Sequence, residues 1–256
     1  MGKRQFGVST YLYHSRRLRR DHLLEIAAHG FEAVEVFADA SHIDYHNVSA
    51  IADLQQWLAE ARLDLASVHA PIAAGEGAEA EGALYMARRI PLKVFVAHVE
   101  GSRDSVRRSV ERLTALAAPL GVKVAVEVGV DEHSRPGSLV HLIEDEIELP
   151  DGLDASPGIC LDFGHAHIAG DLVDAIELVS EHLVAVHVHD NRGRDDEHLV
   201  PFEGTIDWPA ALTTVQKVGF DGAWIFEVSA RGTAKEALQK ARAARERFEK
   251  LLCTSI

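Results

Sequence analysis

The chain of 256 residues carries 40 acidic against 26 basic side chains, a formal net charge of −14, with 47% hydrophobic and 26% charged residues. That is ordinary for a globular protein, but the acidic excess disfavours nucleic acid or other polyanions as partners unless a local basic patch overrides it. Two cysteines make no disulfide framework, no apolar run approaches bilayer length and MGKRQFGVST lacks a signal-peptide core, so a cytoplasmic protein without a membrane partner is expected.

Eight short apolar, β-branched runs read as strands: FGVSTYL (6–12), AVEVF (33–37), LASVH (65–69), KVFVAHV (93–99), VKVAVEV (122–128), GICLDF (158–163), LVAVHVH (183–189) and AWIFEV (223–228). Helical periodicity fills the gaps at 21–29, 48–61, 78–90, 104–119, 138–146, 171–181, 208–218 and 233–251. The fourth helical segment closes at Gly121, and Asp171 is placed as an N-cap. The acidic tract AAGEGAEAEG (73–82) after the third strand reads as a solvated loop, with a lid as the other reading. RRLRR (16–20) and the arginines of the last segment read as solvated helix faces.

Strand then helix, eight times over, predicts a parallel (β/α)8 TIM barrel occupying 1–256 as one domain. Strands that are apolar almost throughout fit a parallel sheet buried on both faces. An open doubly wound sheet competes, but the first strand is not followed by a glycine-rich turn able to hold a dinucleotide.

In such a barrel the chemistry sits at the C-terminal ends of the strands. The last inward-capable positions are Glu35, His69, His98, Glu127, Asp162, His187 and Glu227. One such histidine is commonly structural, yet six or seven ionisable groups converging on one rim need a cation to neutralise them. The following loops add His165 and His167, then Asp190, Asp196 and His198, while His189 shares the parity of His187. Tyr11, Tyr13 and His14 are placed to line the rim. Trp57, Trp208 and Trp224 read as packing residues, and His42 and His46 as surface loop residues.

The stretches SVHAP (67–71), VEV (126–128), LDFGHAH (161–167), HVHDN (187–191), HLVPFEGTIDW (198–208) and FEV (226–228) resemble the xylose isomerase-like barrel superfamily. The resemblance runs from residue 6 to about 230, and its most specific parts are the motifs after strands six and seven. That superfamily includes sugar-phosphate isomerases and epimerases, tagatose and psicose 3-epimerases, and endonuclease IV-type enzymes acting on abasic DNA. Its isomerase branch implies one divalent ion on Glu127, Asp162, His187 and Glu227. The ion would stabilise an enediolate as a Lewis acid while Glu127 and Glu227 move the proton. His165 would contact a substrate hydroxyl or carbonyl, and His69, His98, Arg192 and Glu35 would bind substrate. An oxygen-rich set favours Mn²⁺, Mg²⁺ or Co²⁺ over a structural Zn²⁺ site.

The nuclease branch implies instead three zinc ions, and the chain offers a candidate at each place, adding His69, His98, His165, Asp196 and His198 to the set. Short loops, the net charge and the lack of an aromatic-plus-basic cluster favour a small substrate, a sugar or sugar phosphate. A third expectation is an accessory protein that keeps the pocket without catalysis. The resemblance also brings homo-oligomers into view.

Overall fold

The computed structural model describes residues 4–70 and 78–254. Eight parallel strands close on themselves in sequence order: β1 (Phe6–Ser9), β2 (Ala33–Phe37), β3 (Asp64–His69), β4 (Val94–Ala97), β5 (Lys123–Glu127), β6 (Gly158–Asp162), β7 (Leu183–Val188) and β8 (Trp224–Phe226). Nine helices among the described residues wrap them: α1 (Arg20–Ala28), α2 (Val48–Ala61), α3 (Ala78–Leu84), α4 (Arg103–Ala117), α5 (Pro136–His141), α6 (Phe163–Ala169), α7 (Leu172–Leu178), α8 (Trp208–Lys217) and α9 (Ala234–Thr254). The (β/α)8 barrel read from the sequence is the observed fold. None of these helices is long and apolar enough to cross a membrane.

Local chemistry sets the helix ends. Asn47 caps α2 by accepting from the Ser49 amide at 2.9 Å, and Asp171 caps α7 through the Val173 and Asp174 amides. The 3-10 turn after α4 ends at Gly121 with φ 69°, a left-handed stop that glycine takes at little cost.

Alternation along the strands separates two environments. Val124 and Val126 of β5, Ile159 and Leu161 of β6, and Val186 and Val188 of β7 face outward into the large core beneath the helices. Val96, Ala125, Cys160 and Ala185 form a separate interior cluster. Above these small groups, toward the C-terminal mouth, the next inward positions are Glu127, Asp162 and His187. The barrel is therefore narrow and apolar in its middle and ionisable at one end.

Two register shifts decide which residues reach that end. Opposite Val34 and Glu35 of β2, strand β3 supplies Leu65 and then Ser67, so Ala66 is the extra residue. Opposite Ile159 and Cys160 of β6, strand β7 supplies Leu183 and then Ala185, so Val184 is extra. Each bulge flips the parity of the strand residues beyond it. They bring Ser67 beside Glu35 and His187 beside Asp162.

Several local expectations are corrected. The first strand ends at Ser9, whose hydroxyl accepts from the Tyr11 amide and starts a 3-10 turn. The tract 73–82 is helical from Ala78, with Glu79 paired to Tyr45 and Glu81 to Arg112; its first five residues lie outside the described ones. His42 is buried, its Nδ1 donating to the Arg16 carbonyl, so it is no surface residue. Tyr13 turns away from the mouth, donating to Glu25 at 2.8 Å and stacking on His22.

Candidate metal centre

The centre is built on β5. Glu127 Oε2 accepts from His69 Nε2 at 3.1 Å and from His98 Nδ1 at 2.8 Å, and its Oε1 accepts from His187 Nδ1 at 2.8 Å. Strands β3 and β7 and the end of β4 thus converge on one carboxylate with 2% exposure. His187 Nδ1 also lies 3.5 Å from Glu227 Oε2 and 3.8 Å from Asp162 Oδ2. Ligand-capable atoms of Glu127, Asp162, His187 and Glu227 all fall within 4.8 Å of one another, and all four residues are buried.

A second group sits beside it. Asp162 accepts from His189 Nε2 at 2.9 Å, and its Oδ1 also accepts from the His165 backbone amide at 2.7 Å, capping α6. That cap explains a helix the sequence pattern does not reveal, since FGHAH is too short to show periodicity. A Cβ at Gly164 would collide with the His189 ring, so glycine there makes room for that imidazole.

His165 Nδ1 donates to the Val128 carbonyl at 2.8 Å, which turns Nε2 toward Asp196 Oδ2 at 3.2 Å. His198 Nδ1 is likewise fixed on the Glu227 carbonyl, with Nε2 2.9 Å from the same Asp196 oxygen. His198 holds φ 45°, a left-handed conformation uncommon for a non-glycine residue, and stacks on His189 at 4.2 Å.

The loop carrying Asp196 and His198 is tied down by Asp190. Its carboxylate accepts from the Asn191, Phe202 and Ile206 amides and from the Trp208 indole. Gly204 passes so close to Asp190 and the Asn191 carbonyl that a side chain there would clash. Asp190 is fully consumed by these bonds and serves the loop's shape.

Charge in the centre is balanced by protons on imidazole. Burial pushes the Glu127 carboxyl up, but His69, His187 and His98 outweigh it and hold the group well below the usual range. Burial works against charge on His69 too, yet Glu127, Glu227 and Glu35 raise it to about 10. Against the same burial, Asp162 and Asp196 raise His165 to about 11, and Asp196 and Glu227 raise His198 to about 9. Glu227, opposed by its burial, is drawn down to about 2 by His187 and His69. Cys160, just below, is pushed up to about 12 by burial.

These residues fit a divalent cation. The donor set is three carboxylates and one imidazole, buried and mutually close, and a cation would take over the neutralising role of the histidinium protons. Three fully buried polar atoms nearby, Glu35 Oε1, His69 Nδ1 and His189 Nδ1, have no hydrogen-bond partner.

All nine candidates for a larger set are brought together: His69, His98 and Glu127 form one ligand-capable group, and Asp196 and His198 join His189 in another. Two expected substrate contacts are placed differently. Arg192 is bound to Glu197 through its side chain and backbone amide, half exposed at the rim. Glu35 lies under His187 with no exposure and faces no open volume. Tyr11 does line the mouth, 5.1 Å from His198 and 5.3 Å from Phe37. The role that sequence reasoning misses most clearly is that of Asp190, whose partners lie up to 18 positions away in a loop without periodicity.

A family profile described as xylose isomerase-like TIM barrel matches residues 23–251. An uncharacterized protein of Methanocaldococcus jannaschii, MJ1311, is 26% identical over 243 residues, covering 85% of this chain and 81% of that one. The inosose isomerase of Bacillus subtilis is 28% identical over 152 residues, 53% of each chain. Among solved structures, a D-tagatose 3-epimerase-like protein superposes with a TM-score of 0.80 at 24% identity, covering 98% of both chains.

Proposed function

Because the chain belongs to the xylose isomerase-like TIM-barrel family, we propose that it is a divalent-metal-dependent isomerase or epimerase of a sugar or sugar phosphate. The observation that carries this reading is the buried meeting of Glu127, Asp162, His187 and Glu227 at the ends of four consecutive strands. Relatives named inosose isomerase and D-tagatose 3-epimerase-like protein support the same class.

Glu127, Asp162, His187 and Glu227 would hold the ion, which when bound supplies Lewis acidity to a substrate carbonyl and the hydroxyl beside it. The chain's own part is proton movement. Glu227 and Glu127, two carboxylates from β8 and β5, would take a proton from one carbon and return one to that carbon or its neighbour. His165 presents Nε2 to the mouth because Nδ1 is committed to the Val128 carbonyl, and so would donate to a substrate oxygen. His69 and His98 keep the Glu127 carboxylate turned inward. Arg192 would steady a negative substrate group on leaving Glu197.

A second reading is a multinuclear zinc phosphoesterase. It is favoured by one observation: Asp196 lies 2.9 Å from His198 and 3.2 Å from His165, ready-made as further ligand positions. The net charge of −14 weighs against a DNA substrate but not against a small phosphoester. Metal content per chain after gentle purification separates the two. About one ion, exchangeable for Mn²⁺ or Co²⁺, supports the isomerase; about three tightly held zinc ions overturn it in favour of the hydrolase.

A further inference from the structure

His187 is a ring with two committed nitrogens. Nδ1 faces Glu127, Glu227 and Asp162, the three carboxylates of the candidate metal set. Nε2 faces away from them and lies 2.9 Å from Glu35 Oε2. The same Glu35 oxygen accepts from the Ser67 hydroxyl at 2.8 Å. Glu35 and His187 have no exposure and Ser67 only 3%, so the chain Ser67–Glu35–His187 is sealed from solvent.

Nothing in β-sheet packing requires a carboxylate there. A buried carboxylate without a hydrogen-bonded partner is strongly unfavourable, and an apolar residue of similar volume would fill the same space. The fold instead devotes two irregularities to it. The bulge at Ala66 brings Ser67 opposite Glu35, and the bulge at Val184 gives His187 its inward parity. Without either shift the chain of three would be broken.

We infer that Glu35 is a positioning residue: with Ser67 behind it, it holds the proton of His187 on Nε2 and thereby presents the Nδ1 lone pair to a divalent cation. Carboxylate partners of metal-binding imidazoles fix both the tautomer and the ring angle and increase the basicity of the ligating nitrogen. The role differs from substrate contact, because Glu35 touches no open volume. It also differs from ligation. Glu35, His69, His187 and Glu227 do form a ligand-capable group, and Glu35 Oε1 stands 3.7 Å from His69 Nδ1. But an ion shared by Glu35 and His187 would need Nε2, and the three other carboxylates gather round Nδ1.

The inference rests on the proposed metal dependence, and Zn²⁺ as a probe keeps the two questions apart. Affinity would be measured by chelator competition on the full chain, and the tautomer of His187 by ¹H–¹⁵N spectra of the Zn²⁺-loaded protein. The expected result is a protonated Nε2 and a coordinated Nδ1 in the parent protein. Glu35→Gln, which keeps the volume, should weaken Zn²⁺ binding about 10- to 100-fold and move the Nε2–H resonance upfield. Ser67→Ala should act in the same direction but less, and serves if Glu35→Gln does not fold. Unchanged affinity in a folded Glu35→Gln protein overturns the inference alone, as does coordination through Nε2. A parent protein that takes up no Zn²⁺ overturns the metal reading, and this inference with it.

Discussion

Asp190 and Trp208 are joined by a 2.9 Å hydrogen bond from the indole Nε1 to the carboxylate, spanning the loop between β7 and α8. Three backbone amides share that carboxylate, at Asn191, Phe202 and Ile206. Asp190→Ala would leave four donors without an acceptor, three of them buried. Bonds to a charged acceptor are each worth about 1.5–3 kcal/mol, partly recovered by relaxation and water. We expect a loss of about 2–4 kcal/mol in urea unfolding. Trp208→Phe, which removes one donor, should cost far less. Equal losses in the two variants would show that packing, not the carboxylate, holds the loop.

Glu127→Gln and Glu227→Gln should each reduce exchange of solvent hydrogen into substrate by about 10²–10⁴-fold, the usual contribution of a placed acid or base. The Glu227 variant loses the pairing of a buried carboxylate with His69 and His187, so its unfolding midpoint should fall as well. Glu127 also accepts from three histidines, so its variant should be less stable as well. Full exchange in either variant would sink the two-carboxylate scheme.

The raised histidines make a specific demand on pH. In chelator-treated protein His198 at about 9 and His69 at about 10 lie above the unfolded value of about 6.5. The stability they contribute is therefore fully present below about pH 6.5 and is lost as pH rises through 9 to 10. Glu227, drawn down to about 2, contributes stability above its unfolded value of about 4.3 that disappears as pH falls through about 2. The Tm of the metal-free protein should accordingly fall between pH 6.5 and 9. A divalent ion displaces those protons, so the extra stability it confers should grow over the same interval. A metal-free Tm that rises through that interval would contradict the network of charges.

Asp196→Ala tests how many ions matter. Asp196 stands outside the group of Glu127, Asp162, His187 and Glu227. With a single functional ion, the variant should keep one metal per chain and most of its affinity, with turnover changed less than tenfold. With three, metal analysis should show at least one ion lost and activity reduced 100-fold or more.

The barrel and its rim are legible in the sequence because periodicity and strand ends are local properties. Glu127 and Asp162 stand at the last inward position of β5 and β6, as alternation requires, and His187 follows the alternation of β7 beyond its bulge. The part that is not legible depends on register. Alternation alone does not reveal that Ala66 and Val184 are extra residues, and without them Glu35 reads as one more rim carboxylate rather than a group beneath His187. Asp190 is hidden for a related reason: its partners span a loop whose path is set by hydrogen bonds and by the close pass at Gly204, not by a hydrophobic period. His42 and Tyr13 are misplaced by sequence reasoning because tertiary contacts decide which side of a loop is inside.

One oxygen of Asp162 is committed in two directions at once. Oδ1 caps α6 through the His165 amide at 2.7 Å and lies 2.9 Å from His189 Nε2, while the whole carboxylate borders the candidate cation position. Any rotation of that group toward an ion is also a movement of the cap of a seven-residue helix. The short helix is thus mechanically geared to the floor of the pocket, and order in its first turn becomes a reporter of occupancy that needs no knowledge of the substrate.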